Sequence, residues 1–320
     1  MRMHDGATCE EPEPTSLYRI GGLHVSSIEA PDDPLFEQVH SDAPDIVIRR
    51  GRREDADLAW HAAADPVRYG DVLVAASPEG GYVVKYPEWF VAVVGPQGRE
   101  IVVFEEDRWS GLSRSLFATV VPLALAATGR VAFHASAVDV DGAAVVIVGE
   151  GGAGKSTLAT ALCLEGGRLI ADDITYVRLD ADGTVVAEPS GGATRLFPAV
   201  AARMGRGSVD PLADKQLLGR PFVTSASSSS VLAAVEVLVG PEGDGRTVTR
   251  PVRGADAVIV LLRYMLAAPG RLQSGQTLQH RIAVGVAGRA QVRRRAWQPD
   301  ASLARVTASR LIDELANRSP

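Results

Sequence analysis

The chain has 320 residues, 46% of them apolar and 22% charged, and a formal net charge of −6. These proportions are those of globular domains and exclude wholesale disorder. The acidic balance excludes a general nucleic-acid binder, which needs cationic excess to neutralise phosphates. The length fits about two domains. Among the 33 cationic residues only Lys85, Lys155 and Lys215 are lysines, so a lysine inside a motif is less readily a chance event. Cys9 and Cys163 cannot build a disulfide framework or a zinc site, and reduced thiols are expected.

Met1–Ser16 is polar and acidic, with a Glu10-Glu-Pro-Glu-Pro14 cluster. It is expected to be a disordered tail and has no apolar core of a signal peptide. From Leu17 to Asp107 short β-rich runs dominate: Ile46–Ile48, Val72–Val74, Tyr82–Val84, Phe90–Val94 and Ile101–Phe104. Gly80-Gly81 and Pro96-Gln-Gly98 punctuate them, so residues 17–109 are expected to form an antiparallel β-rich lobe. Ser110–Thr128 predicts a helix capped by Ser110 or Ser113. Its apolar run Leu116–Ala127 is too short for a bilayer and contains Pro122; a soluble, cytoplasmic protein without membrane partners is expected.

Residues 110–320 are expected to form the second domain. Val131–Val140 and Ala143–Val148 flank Asp141-Gly142, a hairpin signal because both turn residues tolerate positive φ. Lys155–Glu165 predicts a helix closed by a left-handed cap at Gly166-Gly167. Arg168–Ala171 predicts a short buried strand next to and parallel with Ala143–Val148. Asp180–Gly192 is polar, and Ser225–Ser230 predicts a mobile loop. Leu232–Val239 and Thr247–Val252 predict strands, and Ala255–Ala267 an apolar helix. Ala290–Trp297 predicts a last strand, with Arg293-Arg294-Arg295 as a charged strand edge. Ala301–Asn317 predicts a last helix with Leu303, Val306, Leu311 and Leu315 on its buried face.

The strongest motif is Gly149-Glu150-Gly151-Gly152-Ala153-Gly154-Lys155-Ser156, followed by Thr157. It fits G-x4-G-K-[ST] at each fixed position, and roughly 0.003 random matches are expected in this composition. Glycines let consecutive N–H groups point at phosphate oxygens, and the helix N-terminus adds partial positive charge. Residues 149–157 are therefore the expected ATP cradle, with Lys155 on the β/γ-phosphates and the Ser156 hydroxyl on Mg2+. Asp172 and Asp173 follow one helix and one strand later. Ligands of open α/β sheets bind beyond the carboxyl ends of strands, so this pair is expected at the same edge as the loop. One acid can serve the metal and the other can take a proton from an attacking hydroxyl.

The run His134-Ala-Ser-Ala-Val-Asp-Val-Asp-Gly142, the glycine-rich loop and Leu169-Ile-Ala-Asp172-Asp173 together resemble the catalytic domain of HPr kinase/phosphorylase and its kinase-like relatives. The resemblance covers about residues 130–178. It implies an α/β fold, a P-loop kinase core of the HPr kinase/PEP carboxykinase-like type behind the β-rich lobe. It also implies Asp172 as catalytic base, Asp173 as metal-binding acid and His134 as an active-site histidine. By its own sequence His134 is a histidine at a strand start, and a core or edge role is equally open. The implied reaction is ATP-dependent phosphorylation of a serine on a protein or peptide, by a chain that can form homo-oligomers. The family's downstream Glu-x-Arg-Gly signature is absent: the region reads Glu188-Pro-Ser-Gly-Gly-Ala-Thr-Arg195. HPr itself is therefore not the expected acceptor. Arg195 and Lys215 remain open between phosphate contact and surface charge. A small-molecule kinase and a non-catalytic nucleotide-binding regulator are the alternatives. The regulator is disfavoured because a pure binder needs no base.

Overall fold

In the computed structural model of the chain the described residues are 16–27, 36–40, 43–69, 71–87, 89–105, 115–196, 198–204, 216–218, 223–241, 247–266, 273–298 and 300–317. Cys9, Ser110, Ser113, Lys215 and all but the last residue of the expected tail lie outside them.

The first sheet contains β1 (Ser16–Ile20), β2 (Leu23–Ser27), β3 (Glu37–Gln38), β4 (Ile46–Arg50), β5 (Ala64–Tyr69), β6 (Val72–Ala76), β7 (Tyr82–Tyr86), β8 (Phe90–Val94) and β9 (Glu100–Glu105), with α1 (Asp55–Ala62) between β4 and β5. Its order is β3-β1-β2-β4-β9-β8-β7-β6-β5. The sheet is mixed rather than antiparallel, because β4 runs parallel to both β2 and β9. Period-2 alternation sends its side chains to two cores. On one face Val83, Val91 and Phe104 pack under Trp60 and Ala59 of α1. Lys85 sits over the Trp60 ring, its ammonium 5.4 Å from the centroid, which gives this lysine a packing role. On the other face Ile20, Ile46, Val84, Ala92 and Ile101 pack against the next helix.

That helix, α2, opens with a π-helical turn at Leu116–Val120 and continues over Val121–Ala127. Pro122 has no N–H for the carbonyl of Ala118, and the widened turn falls there. Leu116, Val120, Leu123 and Leu125 join the lobe's core, which also takes in Ala132 and Tyr176.

The remaining elements are β10 (Arg130–Val140), β11 (Ala143–Gly149), α3 (Lys155–Leu164), β12 (Arg168–Ala171), β13 (Ile174–Leu179), β14 (Val185–Glu188), β15 (Thr194–Leu196), α4 (Pro198–Arg203), β16 (Gln216–Leu218), β17 (Ser230–Val239), β18 (Val248–Val252), α5 (Gly254–Tyr264), α6 (Gln273–Arg289), β19 (Gln291–Ala296) and α7 (Ala301–Ala316). The second sheet runs β11-β10-β13-β14-β17-β19-β18, and β11 also pairs with β17. The first five of these strands thus close a circuit of hydrogen-bonded neighbours. One apolar cluster joins Phe133, Val146, Val148 and Val235 to α5 and α6. Another buries Val145, Ile147 and Leu169 under α3 and α7.

The hairpin turn has Asp141 at φ 51° and Gly142 at φ 86°. Helix α3 ends in a Schellman motif: Gly166, φ 106°, donates to Cys163, and Gly167 donates to Leu162. Other expectations need correction. β12 pairs antiparallel with β10, not with β11; the parallel partner of β11 is β17. Because β10 is antiparallel to both, β12 and β11 still point the same way. Their carboxyl ends therefore reach one edge across an intervening strand. Ser225–Ser230 is not a free loop. Residues 224 and 226 exchange backbone hydrogen bonds with Leu169, the Ser229 hydroxyl donates to Glu188, and Ser230 starts β17 with its hydroxyl on Asp139. The polar stretch 180–192 contains the buried strand β14. The three arginines are not an edge: β19 lies between β17 and β18, and Arg293 and Arg295 converge on the fully buried Glu236. On α7 the buried residues are Ala301, Ala304, Thr307, Ala308 and Leu311, whereas Leu303 and Val306 are exposed. Small residues face α3 because they let the two helix backbones approach.

Candidate active site

β11 delivers Gly149 to the sheet edge, and the chain turns through residues 150–154 into α3. Gly152 (φ 78°) and Gly154 (φ 91°) occupy left-handed conformations that suit glycine. A Cβ built on Gly151 or Gly152 would meet nothing within 4 Å, so the loop presents open backbone on its outer side. The Lys155 ammonium folds back onto the loop and donates to the Gly149 carbonyl at 2.9 Å and the Glu150 carbonyl at 3.3 Å. From the far side the Trp297 indole N–H donates to the Ala153 carbonyl at 2.9 Å, bracing the loop from the end of β19.

Asp172 leaves the end of β12 and is buried. Its Oδ1 accepts from the Ser156 hydroxyl at 3.0 Å and from the Ser136 hydroxyl at 2.5 Å; its Oδ2 accepts from the Arg195 backbone N–H at 2.9 Å. Burial pushes its pKa above the ordinary aspartate value, and the bonds from Ser136, Arg195 and Ser156 pull the other way. One carboxylate thus ties together the loop helix, the hairpin and the strap that follows β14.

Asp173 is turned away from it. Its φ is 70°, and the Ile174 N–H donates to the Asp172 carbonyl at 2.9 Å, closing a γ-turn around Asp173. Such turns are rare and strained. The strain separates adjacent carboxylates, one inward on Ser156 and the other half-exposed beside His134. His134 Nδ1 lies 3.7 Å from Asp173 Oδ1. Its Nε2 lies 3.2 Å from the Lys155 ammonium, so Nε2 is the acceptor and the ring proton sits on Nδ1. Burial, then the Lys155 charge, lowers the His134 pKa below its ordinary value, while Asp173 and Asp172 raise it. Burial and the lysine charge thus favour the neutral ring.

The structure brings the expected residues Lys155, Ser156, Asp172, Asp173 and His134 to one edge. Ser136, the Arg195 N–H and Trp297 join them unforeseen. Ser136 stands two residues after His134 on the same face of β10, and period-2 spacing could have found it. The Arg195 side chain is half-buried, and burial lowers its pKa. Among the described residues no group of three or more His, Cys, Asp or Glu side chains could hold a metal ion, and no helix is long and apolar enough to cross a membrane.

Residues 125–197 match the family model of the HPr Serine kinase C-terminal domain. Over 106 residues the chain is 34% identical to the HPr kinase/phosphorylase of Exiguobacterium sibiricum; the match covers 33% of this chain and 32% of that relative's length. The HPr(Ser) kinase/phosphatase of Coxiella burnetii is 14% identical, with a TM-score of 0.33 over 58% of this chain and 96% of that one. The chain is HPr-kinase-like.

Proposed function

We propose that this HPr-kinase-like chain is an ATP-dependent kinase with a P-loop core of the HPr kinase/PEP carboxykinase-like type, transferring the γ-phosphoryl group to a serine hydroxyl of a protein or peptide. The observation that carries the reading is the Asp172 carboxylate, buried yet sharing one oxygen with the loop residue Ser156. A turn or cap aspartate has no need of that burial, and the carboxylate stands within hydrogen-bond reach of the loop that would carry the phosphates.

The backbone of the glycine-rich loop, the N-terminus of α3 and Lys155 receive the triphosphate. The Lys155 ammonium leaves the loop carbonyls to do so. Mg2+ keeps few protein ligands and completes its shell from water and phosphate; the Ser156 hydroxyl and the Asp173 carboxylate, both at this edge of the sheet, would hold it. When bound it would neutralise negative charge on the phosphoryl group being transferred. Asp172 takes the proton of the attacking hydroxyl; burial makes it a stronger base than a free aspartate. His134 holds Asp173 and Lys155 in place through its two ring nitrogens. In-line positioning and charge stabilisation, rather than covalent chemistry, supply the acceleration.

The reading includes a catalytic domain of residues 110–320, a β-rich lobe of residues 17–109, a tail of residues 1–16, a cytoplasmic location and homo-oligomer formation. HPr is not its acceptor. Mass spectrometry of candidate peptides incubated with the chain and Mg·ATP tests it. A gain of one phosphate on a serine is expected. Phosphate on a small-molecule acceptor alone would contradict the protein or peptide assignment.

A further inference from the structure

Of the three donors that hold Asp172, Ser136 lies on β10 and Ser156 on α3, but the Arg195 N–H arrives on a strap. Residues 189–193 link β14 to β15, and β15 belongs to neither large sheet, pairing with β16. The inner side of the strap lies on β12. There the N–H groups of Ser190 and Gly191 both donate to the Ile170 carbonyl, at 2.8 and 2.7 Å, two residues before Asp172. A Cβ on Gly191 would meet that carbonyl at 3.0 Å. The outer side of the strap meets the first sheet. The Gly22 N–H donates to the Pro189 carbonyl at 2.9 Å and the Glu37 N–H to the Ser190 carbonyl at 3.4 Å, while Phe36 forms an antiparallel bridge with Gly191. Downstream, the Thr194 and Thr160 hydroxyls share a hydrogen bond of 2.9 Å just before Arg195 reaches Asp172.

Ser190 joins the two sides. It is buried, and its hydroxyl oxygen accepts from the Gly21 N–H at 2.6 Å. That N–H stands at the tip of the β1–β2 hairpin, where Gly21 (φ 57°) and Gly22 (φ 74°) make a two-residue turn that needs positive φ at both positions. Arg130 holds the same turn, with its Nε donating to the Gly21 carbonyl at 2.6 Å. Gly21 is itself buried, so removal of the Ser190 oxygen would orphan a buried donor. The turn and the strap therefore fix one another through this hydroxyl.

We propose that Ser190 is a positioning residue of the phosphotransfer reaction. Clamped by the Gly21 N–H, it fixes the strap on which the Arg195 N–H holds the Asp172 carboxylate. The first sheet thus takes part in catalysis without lending the site a side chain. A reacting group misplaced by about 1 Å costs about 10²-fold in rate, and a strap released from the turn frees the donor that aims Asp172. The assignment rests on the kinase reading, and the test separates the two.

In the full chain, Ser190→Ala is compared with wild type by hydrogen exchange of the Arg195 amide, by Mg·ATP affinity from calorimetry, and by phosphate release from Mg·ATP. Water stands in for the acceptor hydroxyl in the last: its oxygen bonds to the γ-phosphorus as the bond to ADP breaks, and its proton goes to Asp172. The variant is expected to exchange the Arg195 amide at least about tenfold faster, the loss of about one hydrogen bond. Phosphate release is expected to fall at least about tenfold, with Mg·ATP affinity within about twofold of wild type. Ser190→Cys, close in size but a weak acceptor, is read in the same way and serves where Ser190→Ala does not fold. Unchanged Arg195 exchange or unchanged phosphate release overturns the assignment. So does faster exchange spread equally over β11 and α3, which marks a general loosening. A wild-type chain that neither binds nor hydrolyses Mg·ATP overturns the kinase reading itself, while the Arg195 exchange still decides whether Ser190 fixes the strap.

Discussion

Ser136→Ala removes one of three donors to the carboxylate at the centre of the site. The hydroxyl is fully buried and donates at 2.5 Å, so no water replaces it. A hydrogen bond to a charged group contributes about 1.5–3 kcal/mol, and the variant should lose that much stability at neutral pH. The sign of the pH dependence follows from Asp172. Its folded pKa is raised, so its favourable contribution is present below the unfolded value and lost as pH rises through the folded one. The Ser136 bond lowers that pKa and relieves the loss. The penalty of Ser136→Ala is therefore largest where Asp172 is ionised and shrinks as pH falls through its folded pKa. Urea unfolding of wild type and variant across pH measures this directly. In phosphotransfer the acid limb of kcat/KM should move to higher pH in the variant. A destabilisation below about 0.5 kcal/mol, constant with pH and with an unmoved acid limb, would refute the role given to this bond.

Lys155→Ala should abolish ATP turnover, because the ammonium stands at the loop carbonyls of Gly149 and Glu150, where the phosphates would lie; turnover at the wild-type rate would remove the cradle from the account. Asp173→Gly relieves a strained γ-turn and should raise stability by about 1 kcal/mol, net of glycine's unfolded-state entropy, while phosphotransfer is lost; thermal melts and rates are read on the same sample, and a destabilised variant would contradict the strain. Gly22→Ala should destabilise by about 2–5 kcal/mol, since φ is 74° and the new Cβ would press on the buried Glu188 carboxylate. Gly142→Ala, at φ 86° in open space, should cost only the backbone share of about 1–2 kcal/mol; equal melting shifts for the two would show that the lobe's first turn does not press on Glu188.

The glycine-rich loop, the Asp141-Gly142 turn and the Gly166-Gly167 cap were legible because each is a local backbone requirement that few residues meet. The strands β4 and β6 to β9 were legible from their apolar runs, but their mixed pairing is a matter of long-range contacts. Helix α6 carried a weak pattern: Ile282, Ala283 and Val286 are buried, yet Gly285 interrupts them where Val185 would lie 3.1 Å from an added Cβ. On α7 the hydrophobic periodicity pointed at Leu303 and Val306, and close packing on α3 chose alanines instead. The Ser225–Ser230 run looked featureless because its partners, Leu169, Glu188 and Asp139, are far away in sequence. Ser136 carried a local signal, two residues after His134 on β10, but its partner Asp172 comes from β12, a long-range pairing.

The central claim is that Asp172 serves the chemistry and not the cradle. Asp172→Asn retains nearly the volume of the side chain but lacks the negative charge and the proton-accepting capacity. ATP affinity by calorimetry and phosphate transfer by mass spectrometry are measured on the same preparation. The account predicts ATP binding close to wild type with transfer reduced by about 10²-fold or more, the contribution of a positioned general base. Transfer at the wild-type rate would contradict it.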